Sequence, residues 1–174
     1  MIHLQLFTPA DVPPLIAEVP DARLLMQWAG PQYVFPLSAD QLTDTIANTL
    51  GHQPECRMFK AVHSMTMETL GHIQLINIDY HFSRCVLGRV LIFEAYRGNG
   101  FGRAMVAAAV HEAFGNLGMN EIMLSVFDFN RSALKLYEHI GFRRYRFEEG
   151  SRQFENQPWN LIKMKLLKST EIEI

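Results

Sequence analysis

Cysteine is nearly absent: 174 residues contain two, Cys56 and Cys85, each in its own apolar context. Two thiols make no disulfide framework in a chain of this length, so both read as buried thiols. A positive excess is missing too. The formal net charge is -2, and nothing drives nonspecific binding to nucleic acid or supplies a recognition element. The N-terminus has no basic region followed by an apolar signal stretch. No apolar run approaches the roughly 18 residues of a membrane span. Repeats, low-complexity tracts and interdomain linkers are absent as well. The expectation is a single cytoplasmic domain over residues 1–174, with no nucleic-acid or membrane partner.

Apolar residues are plentiful, and their spacing divides the chain. His3–Phe7 reads as a strand, and Thr8 caps a short helix whose Pro13-Pro14 pair suits a first turn. Asp21–Trp28 has helical spacing. Ser38 opens another helix, with Gln41 as a capping-box partner, a stripe of Leu42, Ile46 and Leu50, and an end at Gly51. Arg57–Val62, Thr69–Ile78 and Arg84–Phe93 read as antiparallel strands, with Gly88 a candidate for a bulge or a close-approach point. A helix follows, with Val106, Ala109, Val110, Ala113 and Phe114 on its buried stripe, widened by Ala104, Ala107 and Ala108, and Gly118 at its end. Glu121–Phe127 is a strand. Ser132–Ile140 is a helix with Ala133, Leu136, Tyr137 and Ile140 inward and Gly141 at its close. Phe142–Phe147 and Leu161–Leu167 are strands, and polar Glu149–Trp159 is a loop. The pattern predicts an α+β, three-layer α/β/α fold around a mixed sheet.

One stretch carries chemistry. Arg97-Gly98-Asn99-Gly100-Phe101-Gly102-Arg103 follows the apolar run Val90–Phe93 and opens a helix. A helix start has unpaired N–H groups and a positive dipole end, which together attract an anion. Glycines let a ligand approach the backbone. A P-loop would need Gly-Lys-Ser/Thr, which is missing, and the glycine interval is wrong for a dinucleotide fold.

The loop resembles the Arg/Gln-x-x-Gly-x-Gly/Ala pyrophosphate loop of the GCN5-related N-acetyltransferases. Asn130-Arg131-Ser132-Ala133-Leu134-Lys135-Leu136-Tyr137, running on to Gly141-Phe142, is similar to that family's second signature. The resemblance, dense from Arg84 to Phe147, implies a splayed sheet of roughly seven strands. It implies acetyl-CoA as donor, an amine as acceptor, direct attack in a ternary complex and no metal. The pantetheine arm would enter between Arg84–Phe93 and Glu121–Phe127 and pair with backbone groups of Val90, Leu91 and Ile92. The N–H groups from Gly98 to Arg103, among them Asn99, Gly100, Phe101 and Gly102, would hold the pyrophosphate. Asn130 would fix the donor near its thioester, and Tyr137 would serve the leaving sulfur. The fold often dimerises, which admits a homodimer.

Each of these residues also has a plainer reading. Tyr137 suits a core position, Asn130 a helix cap, and Arg97 and Arg103 an exposed surface. Arg143, Arg144 and Arg146 suit a solvated edge. Some relatives carry a glutamate base where this chain has Ser125, so no base is assigned. Glu94 reads as loop surface. His72, Asp79 and His81 read as hairpin or surface residues, with an acceptor pocket as the alternative. Trp28, Tyr33, Phe35 and Phe154 are candidates for an aromatic acceptor wall. Asp21 and Asp40 hint at a cationic acceptor. Another acyl donor, or a module that senses acetyl-CoA without turnover, remain the alternatives.

Overall fold

Short hairpins build part of one continuous sheet, and helical connections bring in its remaining strands. In a computed structural model describing residues 1–169, seven strands lie in the order β1-β2-β3-β4-β5-β7-β6. They are β1 (Ile2–Leu6), β2 (Cys56–His63), β3 (Thr69–Asp79), β4 (Arg84–Ile92), β5 (Glu121–Phe127), β6 (Arg143–Phe154) and β7 (Gln157–Leu167). β1 to β4 pair antiparallel, β4 and β5 pair parallel, and β7 returns antiparallel beside β5. The expected mixed seven-stranded sheet flanked by helices is present.

One face carries α4 (Phe101–His111) and α5 (Arg131–Ile140). α4 buries Met105, Val106 and Ala109, and beyond it a wider π turn, Glu112–Asn116, brings in Ala113. Ala104 and Ala107 face solvent, so the apolar stripe is narrower than the sequence suggests. α5 buries Leu134 and Tyr137 and ends at Gly141 with φ 118°. The other face carries α1 (Val12–Ala17), α2 (Ala22–Ala29) and α3 (Ala39–Ala47). Leu15, Leu25, Trp28, Tyr33 and Leu42 form a second core there with Met58 and Leu91.

Local chemistry sets these helix ends. Asp21 caps α2 by accepting the Leu24 N–H at 2.7 Å. Ser38 precedes α3 without a side-chain cap. Gln41 reaches back instead to the Val34 N–H (2.7 Å) and to the carbonyls of Val34 and Pro36, pinning the α2–α3 connection. The capping box is therefore not formed. α3 also stops at Ala47, before Gly51, leaving Leu50 exposed.

The expected loop Glu149–Trp159 is instead the distal half of a long β6–β7 hairpin. Its turn residues Glu155 and Asn156 have φ of 48° and 63°, the left-handed pair that matches strand twist in a two-residue hairpin. Pro158 pairs with Gln153 beyond the end of β5, where β7 has a free edge, a position that tolerates its missing N–H. Both cysteines are buried and free, as expected. Burial pushes the Cys56 thiol up to about 11 and Cys85 up to about 12, which leaves both unreactive. Among the described residues no helix is long and apolar enough to cross a membrane.

Candidate active site

β4 and β5 pair only at Arg84–Val86 against Glu121–Met123. Beyond Val86 they part, while β4 stays paired to β3 as far as Ile92. The β5-facing edge of residues 87–92 thus has free backbone donors and acceptors, the template on which an extended ligand adds as a strand. The gap opens into a cleft of about 700 Å³, the size of a small-molecule site.

Five groups of residues line it. Leu87 to Ile92 form one wall, and Ser125, Val126 and Phe127 of β5 form the opposite one. Asn130, Ser132, Ala133, Leu136 and Tyr137 come from α5 and its cap. Gly98, Gly100, Phe101, Gly102 and Arg103 bring the start of α4, and Leu24, Gln27 and Trp28 of α2 close the remaining side. The expected residues therefore converge on one cleft. Asn99 is the exception: its side chain donates to the carbonyls of Tyr96 (3.3 Å) and Arg97 (3.0 Å), tying the loop to itself.

The loop geometry explains its glycines. Gly98 and Gly100 both have φ 78°, in the left-handed region. Gly100 caps α4, which starts at Phe101 rather than near Asn99. A Cβ on Gly100 would meet nothing within 4 Å, so its backbone conformation and not crowding requires glycine. Gly102 is different: a Cβ there would sit 3.2 Å from Leu136 Cδ1, so it sets the α4–α5 approach. Arg97 Nε donates to the Ile92 carbonyl at 3.0 Å, joining the strand end to the loop. Arg103, Lys135 and His139 add basic groups to this end of the cleft, where α4's unpaired N–H groups and dipole already favour an anion.

Asn130 caps α5, its Oδ1 accepting from Ala133 N (3.3 Å) and Ser132 Oγ (3.1 Å). Its cap role and its place in the cleft coexist. Tyr137 is 7% exposed, packed edge-on to Phe142. Burial raises its pKa, so it stays protonated. The hydroxyls of Tyr33 and Tyr80 bond to Thr45 and to the Pro54 carbonyl. Tyr137 itself lines the cleft.

Residues 2–143 match the profile described as an acetyltransferase (GNAT) domain. The chain belongs to the GNAT acetyltransferase family. It is 30% identical over 111 residues to the SPbeta prophage-derived uncharacterized N-acetyltransferase YokL of Bacillus subtilis, a match covering 63% of this chain and 60% of that protein. It is 38% identical over 52 residues to the uncharacterized N-acetyltransferase YycN of the same organism, covering 30% and 33%. The matches thus span less than two thirds of either relative. The GNAT fold is similar to that of spermidine N-acetyltransferase from Vibrio cholerae, solved with CoA and spermine, with TM-score 0.82, 22% identity and 95% of each chain covered. A single-residue mutant of that enzyme matches with TM-score 0.81 and 20% identity over 99% of this chain and 96% of that one.

Several sequence expectations need correction within this GNAT frame. The bulge in β4 falls one residue past Gly88. Gln74 pairs with Gly88 and His72 with Leu91, so β4 spends an extra residue there, and Arg89 carries the positive φ of 49°. The bulge turns Arg89 toward the α1–α3 face, where Gln74 Oε1 and Gln32 Oε1 accept from it and the Tyr33 ring lies 5.0 Å away. Sequence reading missed Arg89 because nothing local marks a bulge at an arginine.

His72 is neither hairpin nor surface but 1% exposed, between Phe7 and Trp28. Desolvation, reinforced by the nearby Arg89 charge, lowers its pKa to about 3, so it is no base at neutral pH. Asp79 does lie at a hairpin, bound to the Phe82 N–H and to Arg84, and His81 packs edge-on against Phe82. Glu94 is exposed outside the cleft. Phe154 packs on Trp159 in a separate cluster, away from Trp28 and Tyr33. Asp21 is a helix cap and Asp40 is exposed in the first turn of α3; neither lines the cleft. Among the described residues that line the cleft there is no carboxylate.

Proposed function

We propose that this protein is an acetyl-CoA-dependent N-acetyltransferase that transfers the acetyl group to a primary amine by direct attack in a ternary complex. The observation that carries the reading is the open edge of β4, residues 87–92, which lines the same cleft as the glycine-rich start of α4. Backbone groups of Val90, Leu91 and Ile92 hold the pantetheine amides. The amides from Gly98 to Arg103 hold the pyrophosphate, with Arg97 bracing the loop through its bond to Ile92.

Amine attack builds negative charge on the thioester oxygen, and a β4 N–H near Ile92 stabilises it. The leaving thiolate then needs a proton or a hydrogen bond. A free thiol of this kind has a pKa of roughly 8.5, and the burial that raises Tyr137 raises a thiol bound beside it as well. Tyr137 therefore remains a hydrogen-bond donor to the sulfur throughout. Asn130 orients the donor near its thioester. With Ser125 in the wall and no carboxylate among the described lining residues, the amine loses its proton to water.

Free buried thiols fit a reducing compartment, and we place the protein in the cytoplasm as one domain over residues 1–174. Lack of a side-chain base also favours a second reading, a module that senses acetyl-CoA without turnover. Purified protein mixed with acetyl-CoA and a panel of amines decides between them. Amine-dependent thiol release supports the enzyme, and tight acetyl-CoA binding without release for any amine supports the sensor.

A further inference from the structure

Arg89 is 6% exposed. Its hydrogen-bond partners, Gln74 Oε1 and Gln32 Oε1, are neutral amides, and the Tyr33 face adds only a quadrupole. Among the described residues no carboxylate pairs with it. A buried full charge held only by dipoles is poorly compensated. Two amide acceptors engage two of its five N–H donors, leaving part of a fork suited to a carboxylate.

Arg89 is also one of the residues that line the cleft, together with Leu24, Gln27 and Trp28 of α2. The indole Nε1 of Trp28 is a buried donor with no partner. Two donors lacking an anionic or accepting partner thus share the acceptor side, in a cleft whose described lining has no acidic residue.

We propose that the acceptor is an amine that carries a carboxylate, a free amino acid in chemical class, and that Arg89 binds the carboxylate while the amine faces the thioester. Trp28 Nε1 supplies a further donor to the same group. A polyamine, which brings only positive charge, is repelled by Arg89 and finds no acid to hold it. The assignment rests on the N-acetyltransferase reading above.

The test uses the full chain with free amino acids, their C-terminal amides and spermidine. Thiol release from acetyl-CoA is followed, and calorimetry on CoA-loaded protein measures binding of the same probes. At least one free amino acid is expected to exceed its amide by about 30-fold or more in kcat/KM, the scale of losing one partner of a buried charge pair. Arg89→Gln should erase that preference while acetyl-CoA affinity stays unchanged, which also reports an intact fold. Where Arg89→Gln fails to bind acetyl-CoA, Arg89→Lys replaces it, and a loss of about tenfold confined to the free acids supports the fork. Equal use of acid and amide, preference for spermidine, or a preference that survives in the variant overturns the assignment. If no amine releases thiol although acetyl-CoA binds, the transferase reading fails by itself. Calorimetry then decides the carboxylate site: Arg89-dependent binding of a free amino acid upholds it, and no binding ends it.

Discussion

Gln74 Nε2 lies 2.8 Å from His72 Nε2, and this contact fixes where a buried imidazole keeps its proton. Gln74 turns its oxygen to Arg89, so its nitrogen is the donor toward His72. His72 Nε2 must accept, and the single proton of the neutral ring sits on Nδ1. That Nδ1 is buried without a partner. A second proton on Nε2 would break the Gln74 bond and add a charge beside Arg89.

The first prediction concerns acid stability. His72 titrates at about 3 when folded, against 6.5 for an ordinary histidine. Above pH 6.5 neither state binds the proton. Below it the unfolded chain takes up a proton that the folded chain refuses, so stability falls by about 1.4 kcal/mol per pH unit until the folded value is reached. From pH 7 to pH 5 the loss is about 2 kcal/mol. Urea unfolding at both values should show it, and His72→Gln should flatten the slope. An unchanged slope in His72→Gln would show that other groups carry the acid sensitivity.

A second prediction separates two uses of glycine in the phosphate loop. Gly100 has open space around its Cβ position but φ 78°. A β-branched residue resists that conformation at a cost of about 1–2 kcal/mol, whereas asparagine tolerates it. Gly100→Val should therefore weaken acetyl-CoA binding about tenfold in calorimetry, and Gly100→Asn should keep most of the affinity. Equal losses would mean that bulk in the ligand path, not backbone strain, is what glycine avoids.

What could be read from the chain alone was what local chemistry decides. β5 was legible to the residue, because Glu121–Phe127 is an apolar run bounded by polar turn residues at both ends. The end of α5 was legible because Gly141 takes a conformation other residues resist. The cleft's two signatures were legible because their spacing is rigid. The strands Phe142–Phe147 and Leu161–Leu167 were legible, but the distal half of their hairpin was not. Glu149–Gln153 is polar with no alternation of burial, and the turn at Glu155-Asn156 lacks glycine. Arg89 escaped for a different reason. Whether a residue on β4 faces α4 or α2 depends on one extra residue in the ladder to β3, and that count is a property of the pairing.

The bulge also rests on a close strand approach. A Cβ on Gly71 would lie 2.4 Å from the Leu91 carbonyl oxygen, a backbone atom with nowhere to move. Gly71→Ala must push β3 and β4 apart where Gly71 pairs with Ile92. The expected cost is about 2–3 kcal/mol, as for other overpacked sites. At Gly88 the contact is 3.2 Å to Ile76 Cδ1, a flexible side-chain end, and Gly88→Ala should cost under about 1 kcal/mol. Equal midpoints for the two variants in urea would refute this account of the ladder.

Tyr137 supplies the sharpest test of the proposed chemistry. Its ring packs against Phe142, and phenylalanine preserves that packing. Tyr137 lines the cleft, and removing its hydroxyl should change folding stability by less than about 1 kcal/mol. If the hydroxyl meets the leaving sulfur, the contact strengthens as thiolate charge develops and is weak in the ground state. Tyr137→Phe should then lower kcat by about 100-fold while acetyl-CoA affinity moves by less than about twofold, the pattern of an interaction made in the transition state. Parallel losses in affinity and turnover would assign the hydroxyl to holding the donor. Unchanged turnover would remove Tyr137 from the reaction and leave the sulfur to be protonated by water.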